Sequence, residues 1–207
     1  TFSSGAMVDG TIEYSGWKNE TVIDFSFGPG INETGGETSG GSSSDNQTSA
    51  EISVSSIPKA GTVLNGHVVA SVSNATATSA DVMLLSLAEW NKVSSAVSET
   101  NPTEASSIAS EYSEYGMSGW RVPTKEEATT LKSLYGGENL YIINNVFESA
   151  GGTVVTATEE NGGNARYLCD SSKYTFTFNG SSSSITQAGA TVKYRLRLVK
   201  TVRVVVK

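Results

Sequence analysis

Gly119-Trp120-Arg121-Val122-Pro123-Thr124-Lys125-Glu126-Glu127 packs a complete helix start into nine residues. Pro123 fixes the backbone at the point of entry. Thr124 followed by Glu127 has capping-box spacing, which lets the two side chains satisfy otherwise free backbone amides. Trp120 supplies a large apolar anchor just before the turn, and its indole N–H needs a partner once buried. Downstream, Ala128, Leu131, Leu134 and Tyr135 recur at helix-face intervals, and Gly136 stands where a terminating glycine belongs. Arg121 reads as an internal contact to carboxylates or chain carbonyls.

Moving toward the amino terminus, Ala105, Ile108, Ala109, Tyr112 and Tyr115 mark a second helix after Pro102, ended by Gly116. A further helix is expected at Ser86, because Ser86-x-x-Glu89 again has capping-box spacing and Leu87, Trp90, Val93 and Val97 follow on one stripe. Residues 51–73 alternate as strands around Pro58 and Gly61, and 81–85 continue as another short apolar run. Toward the carboxyl terminus the reading is strand at 141–143, 152–158 and 165–169, then Tyr174, Phe176 and Phe178 in strict alternation. In the closing run Val192, Tyr194, Leu196 and Leu198 share one face, with Lys193, Arg195 and Arg197 on a solvated opposite face. A last segment spans 202–206. The expected class is α+β, with about three helices on a twisted, mainly antiparallel sheet over residues 51–207. Residues 1–50 read as a short β-hairpin, 11–27, and a Gly/Ser-rich linker, 28–50.

The 119–127 turn together with the closing Tyr194-Arg195-Leu196-Arg197-Leu198-Val199 strand resembles the Fibrobacter-type major paralogous domain, also called the Lcl carboxyl-terminal domain. The similarity covers roughly residues 60–200. It implies a C-type-lectin-like fold, distantly related to sulfatase-modifying factor and carried by fimbrillin-like surface lipoproteins of gut bacteria. In that frame Trp120, Arg121, Pro123, Thr124, Glu127, Tyr194 and Arg195 are structural. The oxidation chemistry of the sulfatase-modifying relatives needs paired cysteines, and Cys169 is the single cysteine here.

Composition narrows the function. Apolar residues make up 37% and charged residues only 17%, which favours short strands and polar loops over a helical bundle. A net charge of −7 opposes a grip on a phosphate backbone, so no nucleic-acid partner is expected. The basic run Lys193 to Lys207 is read as a solvated strand face. With one cysteine and one histidine, His67, neither a disulfide nor a Cys- or His-based metal site is expected, and no cofactor motif is present. Cys169 reads as a small buried core residue. No apolar stretch reaches membrane-spanning length. The low charge suits an exported, surface-located protein whose signal segment has been removed.

No catalytic set is evident: His67 sits in a strand without a nucleophile elbow, and Glu126-Glu127 are adjacent on a helix and point apart. The expectation is a non-enzymatic surface adhesion or ligand-binding protein, fimbria-associated, whose partner is a glycan or a host or bacterial surface protein. Self-assembly is left open. Binding residues are expected on the loops 136–164 and 179–190, with Glu159, Glu160, Asn161, Asn164 and Asp170 as oxygen-bearing candidates. One alternative is a carbohydrate-active enzyme using Glu126, Glu159, Glu160 or Asp170. The other is a structural pilin-type subunit.

Overall fold

A computed structural model of the chain describes residues 51–96, 104–179 and 185–207. The hairpin and linker expected at 1–50 lie outside the described residues. The elements run β1 (Glu51–Val54), β2 (Thr62–Leu64), β3 (His67–Ser73), β4 (Ser79–Leu85), β5 (Trp90–Ser94), α1 (Glu104–Glu111), α2 (Lys125–Tyr135) and α3 (Leu140–Ser149). Then follow β6 (Tyr167–Cys169), β7 (Tyr174–Phe176), β8 (Thr186–Gln187), β9 (Lys193–Leu196) and β10 (Val199–Val206). The class is α+β. No helix among the described residues is long and apolar enough to cross a membrane.

In place of one sheet the described residues form two, each of five strands, ordered β1-β10-β4-β3-β2 and β5-β9-β6-β7-β8. Most pairings are antiparallel; β1 with β10 and β6 with β9 are parallel. Consecutive strands belong to different sheets at two places. β4 pairs with β10 in the first sheet and β5 with β9 in the second. The chain therefore crosses between sheets at residues 86–89 and again at 197–198, and these two crossings form one corner. The Ser86 amide donates to the Leu198 carbonyl at 3.0 Å, and the Leu198 amide donates to the Ser86 hydroxyl at 3.0 Å. Strands that switch sheets at a bend are a standard way to build such corners.

The corner overturns two expectations. Ser86 caps no helix: its hydroxyl turns the backbone by donating to Ala88 O at 2.9 Å, and Trp90 and Val93 enter a strand opposite Leu196 and Tyr194. Long-range pairing with β9 outweighs a helical spacing that was only four residues deep. Nor do Arg195 and Arg197 occupy a solvated face. Because the strand bends after Leu196, strict alternation fails, and Leu196, Arg197, Leu198 and Val199 are all buried.

Two apolar clusters lie on either side of the first sheet. One joins Val68, Ala70, Met83, Leu85 and Val199 to Leu131 and Tyr135 of α2, Ile143 and Phe147 of α3, and the Tyr167, Phe176 and Phe178 rings. The other joins Val69, Val82, Leu84, Val202 and Val204 to Ala105 and Ala109 of α1, Trp120, Leu168, Tyr194 and Leu196. Tyr135 anchors α2 to the sheet by donating to Ala70 O at 2.6 Å, and burial pushes its phenol up to about 12.

The strand expected at 141–143 is helix. Leu140, Ile143, Val146, Phe147 and Ala150 follow the helical spacing, and all of them pack on the first cluster. The four-residue run Leu140-Tyr141-Ile142-Ile143 looks β-like only when cut from that longer period. No strand forms over 152–158 apart from a bridge of Thr158 with Asn164. At the end of α2, Gly136 is extended (φ −74) rather than left-handed, and the left-handed residue is Gly137 at φ 60. Gly136 is still required, because a Cβ there would meet Lys132 O at 2.4 Å.

Candidate functional site

The helix-entry turn is fixed from three directions. The Trp120 side chain is 3% exposed, and its indole N–H donates to Met117 O at 2.8 Å. Its ring meets Tyr112 edge-on with centroids 5.6 Å apart and lies 5.9 Å from His67. Arg121 exchanges both backbone hydrogen bonds with Val199, at 2.9 and 2.8 Å, which ties the turn to the start of β10. The Arg121 guanidinium then forks onto the Glu127 carboxylate at 2.6 and 2.5 Å. Glu127 also accepts from the Thr124 amide at 2.9 Å, while Thr124 Oγ1 accepts from the Glu127 amide at 3.2 Å. Burial works to raise the Glu127 carboxyl, but the hydrogen bonds from Arg121 and Thr124 outweigh it and hold the group below its ordinary range.

Facing this turn is the β6–β7 connection, where Asp170, Ser171 and Ser172 are all left-handed, with φ of 50, 55 and 65. For residues with a Cβ that conformation costs about 1–2 kcal/mol each. It persists only where the surroundings over-determine it. The Asp170 amide donates to Pro123 O at 2.8 Å, and the Ala96 amide to Ser172 O at 3.0 Å. Lys125 Nζ reaches Asp170 Oδ2 at 3.4 Å while standing 3.4 Å over the Tyr174 ring.

Between the strained turn, the helix entry and α1 lies a groove of about 480 Å³. Trp120, Val122, Pro123 and Ala109 give it apolar surface. Ser106 and Ser110 from α1, with Thr124 and Ser171, give it hydroxyls, and Arg121 and Asp170 border it. A groove of this size with a few convergent polar groups suits a small ligand or a short stretch of a polymer.

The five candidate binding residues divide. Glu159, Glu160, Asn161 and Asn164 sit on the turn closed by the Thr158–Asn164 bridge, and none lines the groove. Three of them already serve the fold. Glu159 is held by Arg195 through Nε and Nη2, both at 2.8 Å. Asn161 Oδ1 accepts from the Gly163 amide at 3.0 Å, and Asn164 Oδ1 from Asn179 Nδ2 at 3.1 Å. Glu160 is exposed. Asp170 alone borders the groove. Among the described residues, the loops 136–164 and 179–190 supply none of the lining, which comes from residues 106–124 and 170–171.

Sequence reading gave Glu89 the role of a capping-box partner to Ser86, and the structure gives it another. Its carboxylate is 3% exposed and sits at the sheet-switching corner between Arg195 Nη1 and Arg197 Nη2, each at 2.8 Å. The Tyr167 hydroxyl donates to it at 2.7 Å, and Thr156 Oγ1 donates at 2.8 Å. Burial, then the Glu89 charge, drives the Tyr167 phenol well above its ordinary value, so it stays a donor. Hydrogen bonding to Glu159 raises Arg195 further. The signal was the pair Arg195 and Arg197 next to a strand with no acidic residue of its own: two buried guanidinium groups demand carboxylates from elsewhere. Tyr194 is buried too, and its hydroxyl accepts from the Gly189 amide at 2.8 Å. Cys169 is a buried thiol, pushed up to about 12 by burial and then by the Asp170 charge.

Acid should expose these ties. Glu127 and Glu159 are both depressed in the fold, so the unfolded chain takes up protons first as pH falls. The stability they contribute is complete above about pH 5 and is lost as pH drops through the ordinary carboxyl range toward their folded values. Urea midpoints measured from pH 7 to pH 3 should be level at first and then fall, and Glu127→Gln should flatten part of that fall.

Among the described residues, no group of three or more His, Cys, Asp or Glu side chains is placed to hold a metal ion. The chain matches no family model, no curated protein and no solved structure.

Proposed function

We propose that this chain is a non-enzymatic ligand-binding protein of a bacterial cell surface, with an adhesive role, and that the groove beside Trp120 and Asp170 is its binding site. The observation that carries the reading is the run of three left-handed residues at 170–172, one wall of the groove, held in place from Pro123, Ala96 and Lys125. Strain maintained in this way, beside a polar groove, is the mark of a pre-organised binding surface. The carboxylates point the same way. Glu127 and Glu159 are each gripped by an arginine, an arrangement that keeps them ionised acceptors and suits a scaffold better than proton transfer. The fold reading that accompanies this proposal is a C-type-lectin-like domain, supported by the capped helix, the indole beneath it and the closing arginine-bearing strand. Fimbria association follows from the same resemblance.

The test is a glycan array probed with the full chain and with Ser110→Trp, which fills the groove from α1. Binding by the native chain and its loss in the variant, with an unchanged melting temperature, is the expected result. Turnover of sugar or ester substrates by the native chain would overturn the reading. In the same series Ser171→Gly relieves left-handed strain and should raise stability by about 1 kcal/mol in urea unfolding, while loosening the wall and weakening binding.

A further inference from the structure

The charges around the groove are already matched, and this constrains its ligand. Among the described residues two ionised side chains border it, Arg121 and Asp170. Arg121 forks onto Glu127, and Asp170 lies 3.4 Å from Lys125. A carboxylate or sulfate on a ligand would have to displace Glu127 from a bidentate contact while facing Asp170 and a chain of net charge −7. A cation would find Asp170 already countered by Lys125 and would face Arg121.

The remaining polar groups are mixed donors and acceptors. Ser110 Oγ donates to Ser107 O at 2.8 Å, which leaves its lone pairs to accept. Thr124 Oγ1 accepts from the Glu127 amide, which leaves its hydrogen to donate. Ser171 is exposed, and the second oxygen of Asp170 makes no hydrogen bond to any described residue. Hydroxyl groups fit such a set because each both gives and receives a hydrogen bond, and a carboxylate oxygen accepts readily from a diol. The apolar strip of Ala109, Val122 and Pro123 suits the C–H face of a sugar ring. No strand edge among the described residues lines the groove, so an extended peptide lacks backbone groups there to pair with.

We infer that the groove binds an uncharged saccharide, with Asp170 and Ser171 receiving ring hydroxyls and Lys125 acting as the positioning residue for Asp170. This rests on the groove being a binding site at all, and the experiment separates the two ideas. The full chain is titrated calorimetrically with neutral glucose-, mannose- and galactose-based oligosaccharides, and with polygalacturonate and sulfated oligosaccharide fragments, at low and high salt. The expected result is binding of at least one neutral series, indifferent to salt, weakened about tenfold by Asp170→Asn and abolished by Ser110→Trp. Tighter binding of the acidic probes, or an affinity that falls with salt, would sink the neutral-saccharide assignment and leave the groove as a site. Binding of no saccharide of either kind would overturn the saccharide assignment itself. Should Asp170→Asn unfold the turn, Ser110→Trp carries the measurement alone.

Discussion

Glu89→Gln is expected to cost about 3–5 kcal/mol, a large part of the 5–15 kcal/mol typical of a whole domain. The substitution keeps the shape and removes the charge, leaving Arg197 (side chain 1% exposed) and Arg195 (16%) without their shared anion. Arg197 has further partners in the carbonyls of Ser86, Thr153 and Val154, at 3.0, 2.9 and 3.2 Å. These are hydrogen-bond acceptors and cannot neutralise a buried cation. Its guanidinium also lies 4.3 Å over the Phe147 ring, which couples the corner to α3. Urea unfolding should therefore show a sharply lowered midpoint. The double variant Glu89→Leu with Arg197→Met should recover much of the loss, because removing both charges ends the desolvation cost together with the attraction. If the single and double variants were equally unstable, the cluster would not be acting through charge.

Trp120→Ala is the second large effect, about 3–5 kcal/mol from lost burial and the cavity left behind. The indole lies beneath the helix entry, edge-on to Tyr112, and Tyr112 in turn meets Trp90 edge-on at 5.0 Å. Truncation would remove the centre of this chain of rings and leave Met117 O without its donor. Trp120→Phe should cost clearly less, because it keeps most of the apolar volume and loses only the indole hydrogen bond. Chemical denaturation measures both. An alanine variant within 1 kcal/mol of the native chain would show that the ring does not anchor the turn. Groove binding should fall with stability, since Trp120 lines the groove as well as the core.

The candidate site was partly legible. The Thr124 capping box rests on two residues three apart, and α2 begins there because the capping bonds are local and need nothing from the rest of the chain. Asp170 is legible as an oxygen-bearing ligand residue, but Glu159, Glu160, Asn161 and Asn164 sit on another turn. The groove joins residues 106–110, 120–124 and 170–171, three segments brought together only by folding. The strain at 170–172 was equally hidden: Asp, Ser and Ser are ordinary turn residues, and nothing in their order announces three left-handed conformations.

By itself the sequence determined the features that local chemistry controls. These are the α+β mixture, the capped helix at 125–135, strands at β3, β4 and most of β10, and a burial-prone Trp120 and Cys169. Tertiary structure decided whatever depended on a distant partner. It made 90–94 a strand by pairing it with β9, gave 140–149 a helix by giving its apolar stripe a sheet to cover, and turned two apparently solvated arginines inward onto Glu89. The reason is one of energy scale. A cap or a short periodic pattern contributes about 1 kcal/mol and holds where nothing opposes it. A strand pairing with buried apolar neighbours, or a buried charge that must find its counter-ion, is worth several times that and sets the conformation of the short segments between.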